Sequence, residues 1–345
     1  MTRELFGETA SGETVERVTL KGGGLSAKVI TWGAVVQDLR LEGHDAPLVL
    51  GFDRFEDYPA HSPYFGAIAG RYANRIRDGR FFIDGIKWQT DTNFLGKHLL
   101  HGGAEGIGKR VWSIAALGDD FVTLTLCDPD GAMGFPGNLD ITCTYRLADA
   151  GRLVVELDAQ TDAPTLCNLA HHSYFNLDDG GEGDCLDHKV MIEAEAYLPV
   201  DSELIPTGDV LVVGGSPFDF RETRAIRSLA EGRTFAYDHN FCLFADRAGL
   251  RRAAKVEGAR SGVAMEVWTT EPGLQFYSGE KVARPIPGLE GRYYGAYAGF
   301  AMEPQVWPDA PNHRHFPQAI LRPGEKYRQI SEYRFELNVA AKSIL

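Results

Sequence analysis

The sequence predicts an all-β protein, one large antiparallel β-sandwich. Apolar and polar residues alternate with a period of two in segment after segment, as strands do when one face lies in a core and the other in water or a cleft. Glycine accounts for 39 of 345 residues and aromatics for 11%, so turn formers and strand formers are both abundant. Helical periodicity is scarce and strands do not alternate with helices, which argues against a βαβ fold.

Turn signals and strand patterns follow one another along the chain. Lys21-Gly22-Gly23-Gly24 and Asp84-Gly85 mark early turns, and residues 54–58 form a short helical stretch between them. Asp130-Gly131 precedes LDITCTYRL, where Leu139, Ile141, Cys143, Tyr145 and Leu147 share one face and Asp140, Thr142, Thr144 and Arg146 the other. RLVVELDAQ repeats the pattern with Leu153, Val155, Leu157 and Ala159. Beyond Asp179-Gly180-Gly181, KVMIEAEAY does so with Val190, Ile192, Ala194 and Ala196. Residues 228–231 read as a second short helix, Glu257-Gly258 as a further turn. YRQISEYRFEL ends the series with Tyr327, Ser331, Tyr333, Phe335 and Leu337 on one side. No composition shift, repeat, linker or long charge run divides the chain, so residues 1–345 are expected to form one domain.

Acidic residues outnumber basic ones 48 to 35, a net charge of −13. Such a field repels phosphate backbones and anionic lipid, so neither nucleic acid nor a membrane surface is expected as a partner. MTRELFGETASGETVERVTL lacks the apolar stretch of a secretory signal, and no run of 18 apolar residues occurs, so a cytoplasmic protein is expected. Cys127, Cys143, Cys167, Cys185 and Cys242 are odd in number and widely spaced, without a CxxC. They predict buried free thiols rather than disulfides or a zinc knuckle.

Several segments place polar groups among apolar or glycine-bounded neighbours. GRYANRIRDGRF holds Arg71, Arg75, Arg77 and Arg80, and Asn74-Arg75 lies between Ala73 and Ile76 as a pair able to point inward. A buried guanidinium needs a carboxylate or a polar ligand, so a structural ion pair accounts for this segment equally well. In KHLLHGG, His101 precedes a glycine turn; in CNLAHHSYFNL, His171 and His172 must face opposite sides of a strand. Metal ligation would want histidines on one face, a spacing missing from that segment, whereas an acid–base histidine fits it. Asp238 in YDHNFCL is suited to hold a hydroxyl or a histidine, and Gln275 in TTEPGLQFYSGE alternates with Leu274 and Phe276. In GFAMEPQVWPDAPNHRHFP, Glu303 follows apolar neighbours, where a carboxylate is costly unless paired or functional. One of the arginines of the first segment is an obvious partner for it. Polar groups drawn together near Trp307, Phe276 and Tyr174 would suit a sugar, with hydroxyls on polar atoms and C–H faces on rings.

With these segments in hand, the chain resembles the aldose 1-epimerase (galactose mutarotase) family. GRYANRI, HLLHGG, NLAHHSYFNL, YDHNF, PGLQFYSG and GFAMEPQVWPDAPN carry the resemblance, in the family's order and approximate spacing over nearly the whole chain. It implies a supersandwich of antiparallel strands with an open cleft for a free monosaccharide, interconverting α and β anomers with no cofactor and no metal, as a monomer or homodimer. It implies His172 as general acid and Glu303 as general base, with Asn74, Arg75, His101, Asp238 and Gln275 as ligands for sugar oxygens. Two positions depart from the family's pattern. His171 stands where asparagine is usual, which implies a change behind the site, and Tyr72 stands where a small aliphatic residue is common, which implies a reshaped pocket wall. Three other readings share these residues. A hexose-6-phosphate mutarotase would need a cationic cluster, for which the arginine segment is the candidate. A glycoside hydrolase would need a second carboxylate, Asp238 or Asp309. A sugar-binding module without turnover would lack the acid or the base, and both are present.

Overall fold

The strand Leu139–Ala148 shows how the pattern becomes structure. Leu139, Ile141, Cys143, Tyr145 and Leu147 are buried, while Asp140 and Arg146 are exposed. Its neighbour Arg152–Thr161 runs antiparallel in unbroken register from Ala148↔Arg152 to Leu139↔Thr161. Directly opposed residues share a face, so the same apolar stripe continues across the sheet. The computed structural model describes residues 2–62, 64–230 and 232–338.

Nine strands form the largest sheet, in the order Ser113–Leu117, Phe121–Asp128, Leu139–Ala148, Arg152–Thr161, Tyr327–Leu337, Val263–Thr269, Arg251–Glu257, Lys189–Ile192 and Arg224–Ala225. A six-stranded sheet runs Tyr174–Phe175, Phe300–Gln305, Gly273–Tyr277, Asp238–Cys242, Ala196–Tyr197 and Leu211–Val212. A four-stranded sheet holds Thr2–Glu8, Thr14–Gly22, Leu25–Ile30 and Val35–Leu41. Every named pairing in these sheets is antiparallel. The two smaller sheets pack on one face of the nine-stranded sheet. Leu274, Phe276, Phe300 and Met302 meet Met265, Val267 and Tyr333 on one part, and Val18, Leu20 and Ala27 join the same core with Leu139 and Tyr145 on another. The all-β sandwich is therefore present as expected.

The chain departs from the sequence pattern in instructive places. The alternation from Val190 to Ala196 is one pattern but two strands: the chain leaves the nine-stranded sheet at Ile192 and enters the six-stranded sheet at Ala196–Tyr197. The second short helix expected at 228–231 is not found: residues 228–230 are not helical, Leu229–Ala230 pairs with Arg233–Thr234 across a reversal at Gly232, whose φ is 76°, and Glu231 lies outside the described residues. The glycine supplies the left-handed conformation that this reversal needs. The helix expected at 54–58 is a single turn displaced to Asp57–His61. All five cysteines are free, but only Cys143, Cys167 and Cys185 are buried; Cys127 is exposed and Cys242 half-buried. Among the described residues no helix is long and apolar enough to cross a membrane.

The arginines of residues 70–81 each find a carboxylate. Arg71 is fully enclosed, with Nε 2.7 Å from Asp128 Oδ2 and its other nitrogens donating to Thr165 Oγ1 and to the carbonyls of Asp128, Pro129, Pro136 and Gly137. Arg75 meets Asp238, Arg77 meets Asp201, and Arg80 meets Asp78. Replacing Arg71 strips Asp128 of its enclosed partner, leaving it only Arg110, which is one-third exposed, and leaves several buried carbonyls without a donor. Arg71→Met is expected to cost about 3–5 kcal/mol in urea unfolding; a loss below about 1 kcal/mol would show that the pocket around it relaxes or hydrates.

Candidate active site

The six-stranded sheet turns its second face away from the core. Glu303 stands opposite Gln275, Gln275 opposite Asn240, and Tyr277 opposite Asp238. Period two sends Leu274, Phe276 and Met302 into the core and leaves Glu303, Gln275, Tyr277 and Asp238 on the other side. Beside this sheet, the short strand Ala170–His172 pairs with Ala67–Ala69. His172 faces the site. His171 faces the core, its Nδ1 3.3 Å from the Tyr145 hydroxyl and its ring against Tyr333.

Two loops complete the wall. Asn74 and His101 both adopt positive φ, at 62° and 48°. The Asn74 N–H donates to His101 Nδ1 at 3.1 Å, and the His101 N–H donates to the Asn74 carbonyl at 3.0 Å. Gly102 follows because a Cβ there would collide with the Gly70 carbonyl. The result is a cavity of about 260 Å³ whose lining includes Asn74, Arg75, His101, His172, Asp238 and Glu303. Gln275 is not part of that lining; it reaches the site through Asp238, its Nε2 donating to Oδ1 at 2.6 Å.

Of the aromatics expected nearby, only Tyr174 lines this cavity; Phe276 belongs to the core, as its alternation with Gln275 requires, and Trp307 packs on Phe316. Tyr64, Phe94 and Tyr277 take their place. Tyr277 was legible, being two residues from Gln275 on one strand. Tyr64 and Phe94 come from loops that carry no such signal. Tyr72 is fully buried elsewhere, its hydroxyl bonded to the Trp307 carbonyl and the Ala310 N–H, so it does not shape the pocket wall.

His172 Nε2 lies 3.4 Å from Glu303 Oε2, and both residues are almost wholly buried. Burial pushes the Glu303 carboxyl well above its ordinary range, helped by the nearby charge of Asp238 and opposed by Arg75. Burial pulls the His172 imidazole down to about 4. For Asp238, burial acts upward but is outweighed by the charge and hydrogen bonds of Arg75 and the hydrogen bond from Gln275, so its carboxyl ends below the usual range. Arg75 Nη2 is 3.0 Å from Asp238 Oδ2, Asn74 Oδ1 accepts the Arg75 N–H, and the guanidinium lies 4.8 Å from the Phe94 ring centroid. Arg75 is thus paired with Asp238, not with Glu303, and Glu303 is left facing His172.

His101, His172 and Glu303 bring ligand atoms within 4.8 Å of one another, a set the sequence spacing had hidden. The tautomer of His101 disfavours a metal there. Because Nδ1 accepts the Asn74 N–H, Nε2 carries the proton, and burial keeps the ring uncharged. Ligation through Nε2 would place a proton on Nδ1 facing another N–H. His101 instead offers a fixed donor to the cavity.

A sequence model described as aldose 1-epimerase matches residues 16–334. The chain belongs to the aldose 1-epimerase family. Within the family it is 41% identical over 342 residues to galactose mutarotase from Bos taurus, covering 98% of this chain and 99% of that one. It is 39% identical over 336 residues to aldose 1-epimerase from Escherichia coli (strain K12), covering 94% and 96%. Its fold matches the crystal structure of a galactose 1-epimerase from Lactobacillus acidophilus NCFM with a TM-score of 0.83 at 28% identity, covering 97% of this chain and 98% of that one. An aldose epimerase homologue from C. elegans gives a TM-score of 0.86 at 29% identity, covering 93% and 99%.

Burial pulls His101, His171, His172, His188 and His239 down, to about 3 for His171 and about 4 for His172 and His239. Unfolded histidine titrates near ~6.5, so below that pH the unfolded chain takes up protons that the folded chain refuses. Their stabilisation is complete above about pH 6.5 and lost toward about pH 4. Glu271 and Glu303, raised chiefly by burial, act in the opposite sense but are fewer. The urea midpoint is expected to fall between pH 7 and pH 5; an unchanged midpoint would contradict the buried neutral histidines. Nitrogen-15 NMR of His101 is expected to report a proton on Nε2 throughout that range.

Proposed function

We propose that this chain interconverts the α and β anomers of a free aldose, with Glu303 as base and His172 as acid. The observation that carries the reading is the buried pair at 3.4 Å between Nε2 and Oε2, in a cavity sized for one sugar ring. Ring opening removes a proton from the hydroxyl on C1 and delivers one to the ring oxygen as the C1–O5 bond breaks. The aldehyde turns about C1–C2, and closure on the other face reverses both transfers. One acid and one base acting on neighbouring oxygens suffice, each contributing about 10²–10⁴ in rate.

The electrostatics suit that cycle. The reacting form is ionised Glu303 with protonated His172; after ring opening the proton has moved from imidazole to carboxyl by way of the sugar. Burial raises the carboxyl and lowers the imidazole, which favours the second form. Both forms hold the same number of protons, so the pair alternates between them without exchange with solvent, and either face of the aldehyde can close. His101 Nε2–H and the Arg75 guanidinium are donors for oxygens on which charge develops. Asp238, held ionised by Arg75 and Gln275, is an acceptor for sugar hydroxyls.

The rival readings find less support. The arginines of residues 70–81 are each matched to a carboxylate, so they form no free phosphate cluster. Asp238 is clamped, and Asp309 accepts the Arg77 N–H and the Asn312 amide outside the cavity lining, so neither of the two carboxyls weighed for hydrolysis is free to act. The site draws on residues from Asn74 to Glu303, which favours a single domain. His172→Gln and Glu303→Gln, made separately, are each expected to slow anomer interconversion by at least about 10²-fold in polarimetry of freshly dissolved galactose or glucose. Retention of near wild-type turnover by both would refute the assignment. Turnover on glucose is expected to exceed that on glucose 6-phosphate.

A further inference from the structure

The core behind the acid and the base is not wholly apolar. The strand Tyr327–Leu337 buries Tyr327, Gln329, Ser331 and Tyr333. Ser331 is matched within its own sheet by Thr269 at 3.1 Å. The other three reach across to the strands that carry the site. The Leu169 N–H donates to the Tyr327 hydroxyl at 3.1 Å, that hydroxyl donates to Gln329 Oε1 at 2.6 Å, and Gln329 Nε2 donates to the Pro304 carbonyl at 2.9 Å. On the other side of Glu303, the Tyr333 hydroxyl donates to the Met302 carbonyl at 3.0 Å. Both chain neighbours of Glu303 are thus held from behind, and the same hydrogen-bonded chain ends on the segment leading into His172.

The sheet topology shows why such a bridge matters. Phe300–Gln305 pairs with Tyr174–Phe175 only through Ala301 and Phe300. Alongside Glu303 the adjoining strand is Ala170–His172, which takes its ladder partner from Ala67–Ala69 instead. Acid and base therefore stand on strands that touch but, among the described residues, share no ladder. Their spacing is set without a ladder, and an apolar core would not specify it: dispersion contacts tolerate sliding that hydrogen bonds do not, whether those between Asn168 and Val306 or those of the chain through Tyr327 and Gln329.

We propose that Tyr327 and Gln329 are positioning residues, a hydrogen-bonded bridge from Leu169 to Pro304 that fixes the distance between the His172 strand and the Glu303 strand. The inference rests on the roles given above to His172 and Glu303. Its chemistry is specific to the two side chains. A phenol can accept the Leu169 N–H and still donate; an amide can accept from the phenol and still donate to Pro304. A hydrocarbon of equal volume would fill the space without the desolvation cost of burying these groups and would leave two partners, the Leu169 N–H and the Pro304 carbonyl, unanswered.

Gln329→Met keeps the volume and removes both bonds of the amide; Tyr327→Phe keeps the ring and removes the hydroxyl. Each is expected to lower kcat roughly 10- to 100-fold, the scale on which small misplacements of reacting groups act, with KM changed less than about threefold. Gln329→Glu is the rescue. A protonated carboxyl accepts from Tyr327 through its carbonyl and donates to Pro304 through its hydroxyl. Its kcat relative to wild type is therefore expected to be highest at acid pH and to fall as the introduced carboxyl ionises. The titratable group bonded to that position is Tyr327, with the Arg247–Glu271 pair and Cys167 beside it; Glu303, next to the Pro304 that the side chain reaches, interacts with Tyr333.

Wild-type kcat in both Gln329→Met and Tyr327→Phe would overturn the proposal. So would a loss confined to KM, a loss accounted for by the folded fraction in thermal melts, or a Gln329→Glu protein no better than Gln329→Met at any pH. If Gln329→Met does not fold, Tyr327→Phe and Gln329→Glu decide by the same criteria. Wild-type protein inactive on every anomer, or His172→Gln fully active, would strike the acid–base reading itself, whereas an active wild type with indifferent bridge variants would strike this inference alone.

Discussion

A carboxyl and an imidazole held 3.4 Å apart and out of water set the terms for the rest of the molecule. Desolvation disfavours the charged form of each, so the carboxyl rises and the imidazole falls. In water the same two groups would ionise separately, and their protons would exchange with solvent. In the cavity both are pushed toward their neutral forms. That condition needs burial on every side except the one open to a ligand, and a large three-sheet architecture is one way to supply it.

The layers divide the work. The nine-stranded sheet provides a broad apolar face, and the six-stranded sheet lies on it through Phe276, Phe300 and Met302. Because strands present alternate residues to opposite faces, the residues between these anchors point into the cavity with little freedom to do otherwise. Glu303 is fixed by Met302 and Pro304 in this sense, and His172 by His171, whose ring packs on Tyr333. The change from asparagine to histidine at 171, which the family resemblance singles out, is absorbed in the core between Tyr145 and Tyr333 and does not enter the cavity. Charges that would disturb the pair are tied off: Arg75 to Asp238, Arg71 to Asp128, Arg77 to Asp201. Toward the cavity, the Arg75 guanidinium is thus already paired and His101 offers a neutral donor.

Much of this was legible in the chain. The period-two stripes of residues 139–147 and 152–160 are buried as read, because a directly opposed antiparallel pair keeps one face throughout. His171 and His172 part to opposite faces for the same reason. The candidate residues from Asn74 to Glu303 stand out as polar groups in apolar or glycine-bounded settings, and the structure gathers them around one cavity except Gln275, which is bonded to Asp238. The reading failed where the signal is not local. Val190 to Ala196 gave one unbroken alternation, and nothing in it marks the change of sheet after Ile192. Phe276 and Trp307 do not form a platform for the sugar: alternation with Gln275 sends Phe276 to the core, and Trp307 packs on Phe316. Tyr64 and Phe94 reach the cavity from loops, where no period constrains direction.

The sequence by itself determined the class of fold, the face that each strand buries, and the side-chain types available for proton transfer, since these follow from periodicity and from what is costly to bury. Only the tertiary structure decided the partners. Arg75 faces Asp238 and not Glu303, His101 keeps its proton on Nε2 because of one backbone N–H, and the acid and base meet across strands that share no ladder. These are distances between residues far apart in the chain. Such distances are set by how sheets stack and by a few buried hydrogen bonds, and local alternation carries no information about either.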